Sequence, residues 1–297
     1  MPDLKPMEFG EVLDGALSLF RRHFGLFFKL SLSVMWLPIA VSLYWRLRYF
    51  NVEGAQTAEQ ALAAIQNDIV PVVLWGILLF VVYECAFLLL TAGSIRVISD
   101  SYLGRDPQFS EALSFGAGKI VPLFLVGLGK GLLIALVGII AIFVVALLTA
   151  FGKALGTGMI VLLALVGGVG TVWLLLFIAC GYMVTTPVVV LESLPSAFDS
   201  FGRSWELTSG AKLRLLGLAI VAFIVASLLP AIVLQAIGAM LLELVPGSQI
   251  VLTVVSPVVS IMLAPIIPCI LTLAYYDRRV RREGFDLQLL SEQLETL

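Results

Sequence analysis

The chain has 297 residues, 60% of them hydrophobic and only 13% charged, with a formal net charge of −2. A soluble domain carries about 25% charged residues; here long apolar runs replace them, which argues against two soluble domains and for membrane helices of about 20 residues each. No basic stripe with interleaved aromatics occurs, so no nucleic-acid partner is expected.

The first 25 residues do not read as a cleavable signal peptide, because Glu8, Glu11, Asp14, Arg21 and Arg22 interrupt them; the first span is expected to stay as an anchor. Phe9, Val12, Leu13, Ala16 and Phe20 recur at helical spacing opposite Glu11, Asp14, Ser18, Arg21 and Arg22. That pattern predicts an amphipathic helix over 8–24, lying in the interface with its apolar side toward acyl chains or toward the bundle. Six apolar spans follow, at about 26–43, 69–98, 120–150, 157–190, 213–242 and 250–274. They are too continuous for barrel strands, which alternate polar and apolar over about 10 residues. The longer runs must tilt or extend past the hydrocarbon.

The connection at 44–68 carries Thr57-Ala58-Glu59-Gln60, a capping-box pattern, then Ala61, Leu62 and Ile65, and predicts a short surface helix. A second amphipath at 109–117 contains Glu111-Ala112-Leu113-Ser114, and a third at 195–208 sets Leu194, Phe198, Phe201 and Trp205 against Asp199, Ser200, Arg203 and Glu206, with Gly210 placed to end it. Residues 16–24 align with 197–205 in Ala, Phe, Arg and a final aromatic. The pattern reads as three units, each an interfacial helix followed by a transmembrane hairpin; chance similarity among apolar amphipaths is the alternative.

With six spans, one side of the membrane receives 14 of the 18 lysines and arginines, and the other only Arg46, Arg48 and Lys153. The excess of cations marks the cytoplasmic side, so both termini are expected there.

Two charges fall deep within spans. Glu84 lies 12 residues before Arg96, and Lys130 lies 11 residues after Lys119, so the two have similar depth. A charge at the bilayer centre costs about 2.5–3.5 kcal/mol on insertion scales. An opposite charge on a neighbouring helix offsets much of that, which predicts a Glu84–Lys130 pair, serving either as a relay or as a structural pair; Lys130 snorkelling to the interface is the other reading. Gly127 with Gly131, and Ala164 with Gly168, form small-xxx-small pairs that permit close helix approach. Pro187, Pro230, Pro257, Pro265 and Pro268 lie in or near spans, where each frees a carbonyl and kinks a helix. Broken helices also occur in transporters.

Nothing points to catalysis. His23 is the single histidine and cannot build a histidine metal cluster. Ser18 and Asp14 share its helix, yet no oxyanion hole is legible. Cys85, Cys180 and Cys269 sit inside apolar runs and read as small apolar fillers. No catalytic residue, metal or cofactor is expected. The last span ends in Tyr275, Tyr276, Asp277, Arg278, Arg279, Val280, Arg281 and Arg282. These tyrosines and arginines, with Arg21, Arg22, Arg203 and Trp205, read as interfacial anchors to lipid headgroups. The tail after them reads as a surface helix, with no soluble catalytic domain following.

Four stretches carry a family resemblance: Phe9 to Ala16 leading to Phe20-Arg21-Arg22-His23-Phe24; Pro187-Val188-Val189-Val190-Leu191-Glu192; Arg203-Ser204-Trp205-Glu206-Leu207-Thr208; and Tyr275-Tyr276-Asp277 through Arg281-Arg282-Glu283-Gly284-Phe285-Asp286-Leu287. In these the chain resembles bacterial membrane proteins of the glycerophosphoryl diester phosphodiesterase membrane domain family. The resemblance implies a polytopic inner-membrane protein. In some members that region precedes a catalytic barrel with histidines and a metal site, which one histidine could not furnish, so the family name implies no activity here.

The expectation is an all-α, polytopic transmembrane bundle of about six spanning helices with amphipathic interfacial helices, forming a single membrane domain. Its expected role is non-catalytic, a scaffold or accessory module in lipid or envelope processes, with membrane lipids and a protein at the cytoplasmic face as partners. The alternative is a small-solute or ion transporter or channel using Glu84 and Lys130.

Overall fold

A computed structural model describes residues 5–49, 69–152, 156–244, 249–288 and 291. The capping-box segment at 57–60 and Lys153 lie outside them. The described residues are all-α, without a strand. Six helical stretches are long and apolar enough to cross a membrane: Phe24–Tyr44, Val73–Tyr102, Phe109–Gly152, Thr157–Leu191, Lys212–Leu241 and Val255–Glu283. The protein is a multi-pass helical membrane protein.

In chain order the helices are α1 (Phe9–Arg22), α2 (Phe24–Tyr49), α3 (Ile69–Tyr102), α4 (Phe109–Gly152), α5 (Thr157–Gly181), α6 (Thr185–Leu191), α7 (Asp199–Thr208), α8 (Lys212–Phe223), α9 (Leu229–Leu244), α10 (Gln249–Leu263) and α11 (Ile266–Glu283). They fall into two compact units: Met1–Ile120 with Leu218–Leu273, and Val121–Gly217 with Ala274–Leu297.

The amphipath α1 opens on a capping box, in which the Glu11 carboxylate accepts the Glu8 backbone N–H at 2.6 Å. Arg21 and Arg22 occupy its last turn, where the helix dipole favours cations. Val12 and Ala16 are fully buried and Phe20 nearly so. The centre of the apolar stripe therefore packs on protein, whereas Phe9 at its start is exposed. A turn at His23 separates α1 from α2.

The middle amphipath differs. Residues 109–117 do not form a helix of their own but open α4, a single helix of 44 residues. At 1.5 Å per residue it measures about 66 Å, twice a hydrocarbon core of about 30 Å. The other two amphipaths end in a turn, at His23 and at Gly210 with its φ of +75°. Between 109 and 120 no residue leaves the helical region, and Gly116 and Gly118 continue the helix.

Two of the five prolines expected to kink helices, Pro230 and Pro265, lie at an interruption of a span. The fifth span passes through a π segment, Ile224–Leu228, just before Pro230. Proline there removes an N–H and crowds the carbonyl of residue 226, and a wider turn relieves both. The sixth span breaks at Ala264–Pro265, between α10 and α11. Pro38, Pro122 and Pro257 lie inside helices.

In the first unit Leu30, Val34 and Met35 of α2 pack on Ala86 and Leu90 of α3 and on Ile261 of α10. The start of α4 comes close to α3 through glycine. A Cβ on Gly116 would stand 2.9 Å from the Leu89 carbonyl oxygen and 3.2 Å from the Gly93 nitrogen. The small-xxx-small pairs are not where the close approaches occur. Gly127, Gly131 and Gly168 have open space where a Cβ would lie, and Ala164 is exposed. In the second unit a Cβ on Gly167 would stand 2.6 Å from Val145 Cγ2, and Gly181 lies under the Trp205 ring. Spacing shows which glycines share a face, but the partner helix selects the face. Broad apolar surfaces of α4 and α5, such as Ile139, Phe143, Val169 and Trp173, are left exposed, as lipid-facing helices require.

Gly116→Ala is expected to destabilise the protein by about 1–3 kcal/mol, because backbone on α3 cannot give way to the added methyl. Gly118→Ala meets open space and is expected to be neutral or stabilising by up to about 1 kcal/mol. Thermal unfolding of both variants in one detergent tests this; equal effects would refute the packing argument.

Candidate functional site

The charged run at the end of α11 falls on three stripes of the helix. Residues 275, 279 and 283 form one, 277 and 281 a second, and 278 and 282 a third, each with the four-residue spacing that brings side chains together. Each stripe meets a different set of partners in the second unit.

On the first stripe Tyr275, 1% exposed, donates its hydroxyl to Glu192 Oε1 at 2.8 Å. Arg279 Nε donates to Glu283 Oε2 at 3.0 Å. Arg203 of α7 stands between the two acids, 2.9 Å from Glu192 Oε2 and 2.6 Å from Glu283 Oε1. The side chains of Arg203, Glu192 and Glu283 are 23%, 14% and 21% exposed, so solvent screens them only in part. Burial opposes the Arg203 charge, but the hydrogen bonds from Glu283 and Glu192 outweigh it and hold the guanidinium above its ordinary range. Three segments more than ten residues apart are thereby clasped: the loop after α6, helix α7, and the end of α11.

The second stripe pairs Asp277, 3% exposed at its side chain, with Arg281 at 2.9 Å and with Arg214 of α8 at 3.2 Å. The third stripe caps α7. Arg278 donates to the carbonyls of Leu207 at 2.8 Å and Ser209 at 3.1 Å, and Arg282 donates to Ser209 at 2.7 Å. These carbonyls have no partner inside the helix. On α7 itself Ser204 and Thr208 donate their hydroxyls to the Gly181 carbonyl at the end of α5.

The residues expected to anchor headgroups thus divide. Arg21 and Arg22 are exposed, as such anchors require. Tyr275 and Tyr276 are buried, and Arg203, Arg278, Arg279, Arg281 and Arg282 are engaged by carboxylates or carbonyls of the protein. Composition identified a cationic terminus, but it did not show that acids and bare helix-end carbonyls converge on it. Glu192, Asp277, Glu283 and Arg214 escaped the sequence reading as partners. The four-residue spacings 277/281 and 279/283 were the available signal; Glu192 gave none, since only the tertiary fold brings it to Arg203.

A smaller polar cluster occupies the first unit. Asp100, 6% exposed at its side chain, accepts from Arg96 at 2.8 Å, and Arg105 lies 3.9 Å away. The Arg96 guanidinium also covers the Phe115 ring at 5.1 Å. His23 Nε2 lies 2.7 Å from Ser101 Oγ. Burial, aided by Arg22 and opposed by Asp106, lowers the His23 pKa below its ordinary 6.5.

Glu84 lies in the first unit and Lys130 in the second, each partly buried. Within its own unit neither forms an ion pair among the described residues. No group of three or more histidines, cysteines or acids suited to a metal occurs among the described residues. Cys180 and Cys269 are buried and Cys85 is exposed; all three are free thiols. Comparison with protein-family models, curated proteins and solved structures finds no match.

Arg203→Met removes the cation between Glu192 and Glu283, leaving Arg279 to hold Glu283 alone, and is expected to cost about 3 kcal/mol. Arg203→Lys restores charge but cannot bridge two carboxylates, so a smaller loss is expected. Unfolding midpoints in detergent measure both; an Arg203→Met midpoint equal to wild type would refute the clasp. The single histidine allows a second test. The lowered pKa means that the fold prefers neutral imidazole. Its contribution is complete above the ordinary value and is lost as pH falls through the folded one. The one signal from ¹⁵N-histidine-labelled protein should titrate with a midpoint below 6.5; a midpoint above 6.5 contradicts the burial argument.

Proposed function

We propose that the protein is a non-catalytic, multi-pass protein of the bacterial inner membrane that scaffolds or assists a lipid or envelope process, with both termini cytoplasmic. The observation that carries this reading is the Glu192–Arg203–Glu283 clasp. Ion pairs with little water access add little net stability, because desolvation offsets their attraction. What they do specify is orientation. Here they hold one loop, one short helix and one helix end in a single arrangement. The acids of the clasp are held by guanidiniums and a phenol, which suits a preorganised surface better than a proton-transferring centre. The excess of lysine and arginine in the segments assigned to this side supports the cytoplasmic placement. The resemblance to the phosphodiesterase membrane domain family, three of whose four stretches contribute to this cluster, supports the lipid or envelope context.

A second reading, a small-solute or ion transporter or channel using Glu84 and Lys130, draws on a cleft in the first unit. It measures about 510 Å³ between α2, α3 and α10, and is lined by Pro38, Ser42, Tyr83, Ser256, Pro257 and Ser260. Glu84 adjoins Tyr83 in sequence.

Two measurements separate the readings. Under the first, the full chain purified in mild detergent retains a stoichiometric partner that Arg203→Met releases, and proteoliposomes show no flux that depends on Glu84. Solute or ion flux abolished by Glu84→Gln or Lys130→Gln, with no partner retained, would replace the scaffold by the transporter.

A further inference from the structure

The turn that joins α7 to α8 carries more positive charge than the clasp beside it consumes. A cavity of about 630 Å³ opens there, lined by Phe177, Trp205, Ser209, Gly210, Lys212, Leu213 and Arg214 among others. The Lys212 ammonium sits 3.4 Å from the centroids of both the Phe177 and the Trp205 rings. Among the described residues it has no carboxylate partner. Aromatic faces steady a cation without pairing it with an anion, so the Lys212 ammonium is left to the cavity.

Arg214 also lines the cavity, and further cations stand behind its floor. Ser209 and Gly210 are backed by Arg282, whose Nη2 bonds the Ser209 carbonyl at 2.7 Å, and by Arg278, which bonds the same carbonyl. Neither arginine forms an ion pair among the described residues. Asp277 is shared by Arg214 and Arg281. Around this turn the guanidinium and ammonium groups outnumber the carboxylates. A guanidinium has five N–H donors, and the single carbonyl bond of Arg282 leaves most of its donors available to a planar or tetrahedral anion.

The walls are apolar. Leu213 is 85% exposed, Phe177 38% and Trp205 36%. They continue an aromatic row in which Trp173 stacks on Phe177, Phe177 meets Trp205 edge-on, and Trp205 meets Tyr182 at 5.4 Å.

 Such a row is the usual lining of a membrane–water boundary. A free phosphate needs only the cationic floor, whereas an amphiphile uses floor and wall together.

We infer that this cavity binds the phosphate group of an anionic lipid headgroup. The phosphate faces Lys212, with Arg282 adding charge from behind the Ser209–Gly210 floor, and the first acyl carbons lie along Leu213 and Phe177. This rests on the membrane-module reading above but deepens it with a ligand, and it assigns Lys212, rather than the clasped Arg203 or Arg279, as the lipid-reading cation.

The test is native mass spectrometry of the full chain in mild detergent, titrated with phosphatidylglycerol or with phosphatidylcholine of the same acyl chains. Wild type is expected to prefer phosphatidylglycerol. Lys212→Gln should weaken that lipid about fivefold, and Lys212→Gln with Arg282→Gln about thirtyfold, since each surface cation contributes about 1 kcal/mol to an anionic lipid. Lys212→Gln removes no bond to the backbone, so it keeps the test valid if loss of Arg282 unfolds the turn. Lys212→Arg should retain the preference. Lys29→Gln, an exposed cation elsewhere, should leave it unchanged.

Three results would overturn the inference: equal binding of the two lipids, an equal effect of Lys29→Gln and Lys212→Gln, or displacement of phosphatidylglycerol by an equal concentration of inorganic phosphate. The last would assign the site to free phosphate. Loss of the lipid preference with the protein partner still retained refutes this site alone; flux through Glu84 refutes the scaffold reading and leaves the lipid result standing.

Discussion

An arginine with little access to water keeps its charge only if acceptors come to it from elsewhere in the chain, and Arg203 meets that requirement with two carboxylates at once. The remaining arrangement of the second unit follows from it. Glu192 must leave α6 at the right place, which the break in helix after Leu191 provides. Glu283 must lie two turns beyond Tyr275 on the same stripe, so that one helix supplies both the phenol that bonds Glu192 and the acid that bonds Arg203. The neighbouring stripes then fall on Arg214 and on the open carbonyls of α7. One helix end, read at three angles, supplies most of the described polar contacts between distant segments of the unit.

The first unit is organised on a different principle. Its helices are brought together by small residues and apolar packing, with Gly93 and Gly116 removing the side chains that would keep α3 and α4 apart. Leu30, Val34 and Met35 fill the space between α2 and α3. Without a large hydrophobic driving force between helices in lipid, such close backbone approach supplies dispersion contacts instead. Polar contacts are fewer, and the Asp100 cluster is built largely from residues near each other in sequence.

The expectation of repeated units meets a physical asymmetry. Two amphipaths are set off from the following span by a turn, while the middle one continues straight into it. A turn needs either a residue outside the helical region or a glycine with positive φ. Gly210 supplies one and His23 the other, and the stretch from 109 to 120 supplies neither.

Composition and hydropathy alone determined that this protein is helical and crosses a membrane with six apolar stretches, because burial in lipid demands long runs with satisfied backbone. Helical spacing also determined the apolar stripe of α1 and the side-chain pairs within α11, since contacts three or four residues apart are set by the helix itself. The tertiary structure alone decided what the arginines do. Arg278 and Arg282 hold carbonyls, Arg203 and Arg279 hold acids, and Lys212 rests on two aromatic rings. It likewise decided which glycines make the close approaches: Gly116 and Gly167, not Gly127 or Gly168. A charge or a glycine in a sequence is a capacity for contact, and the partner that uses it comes from a distant part of the chain.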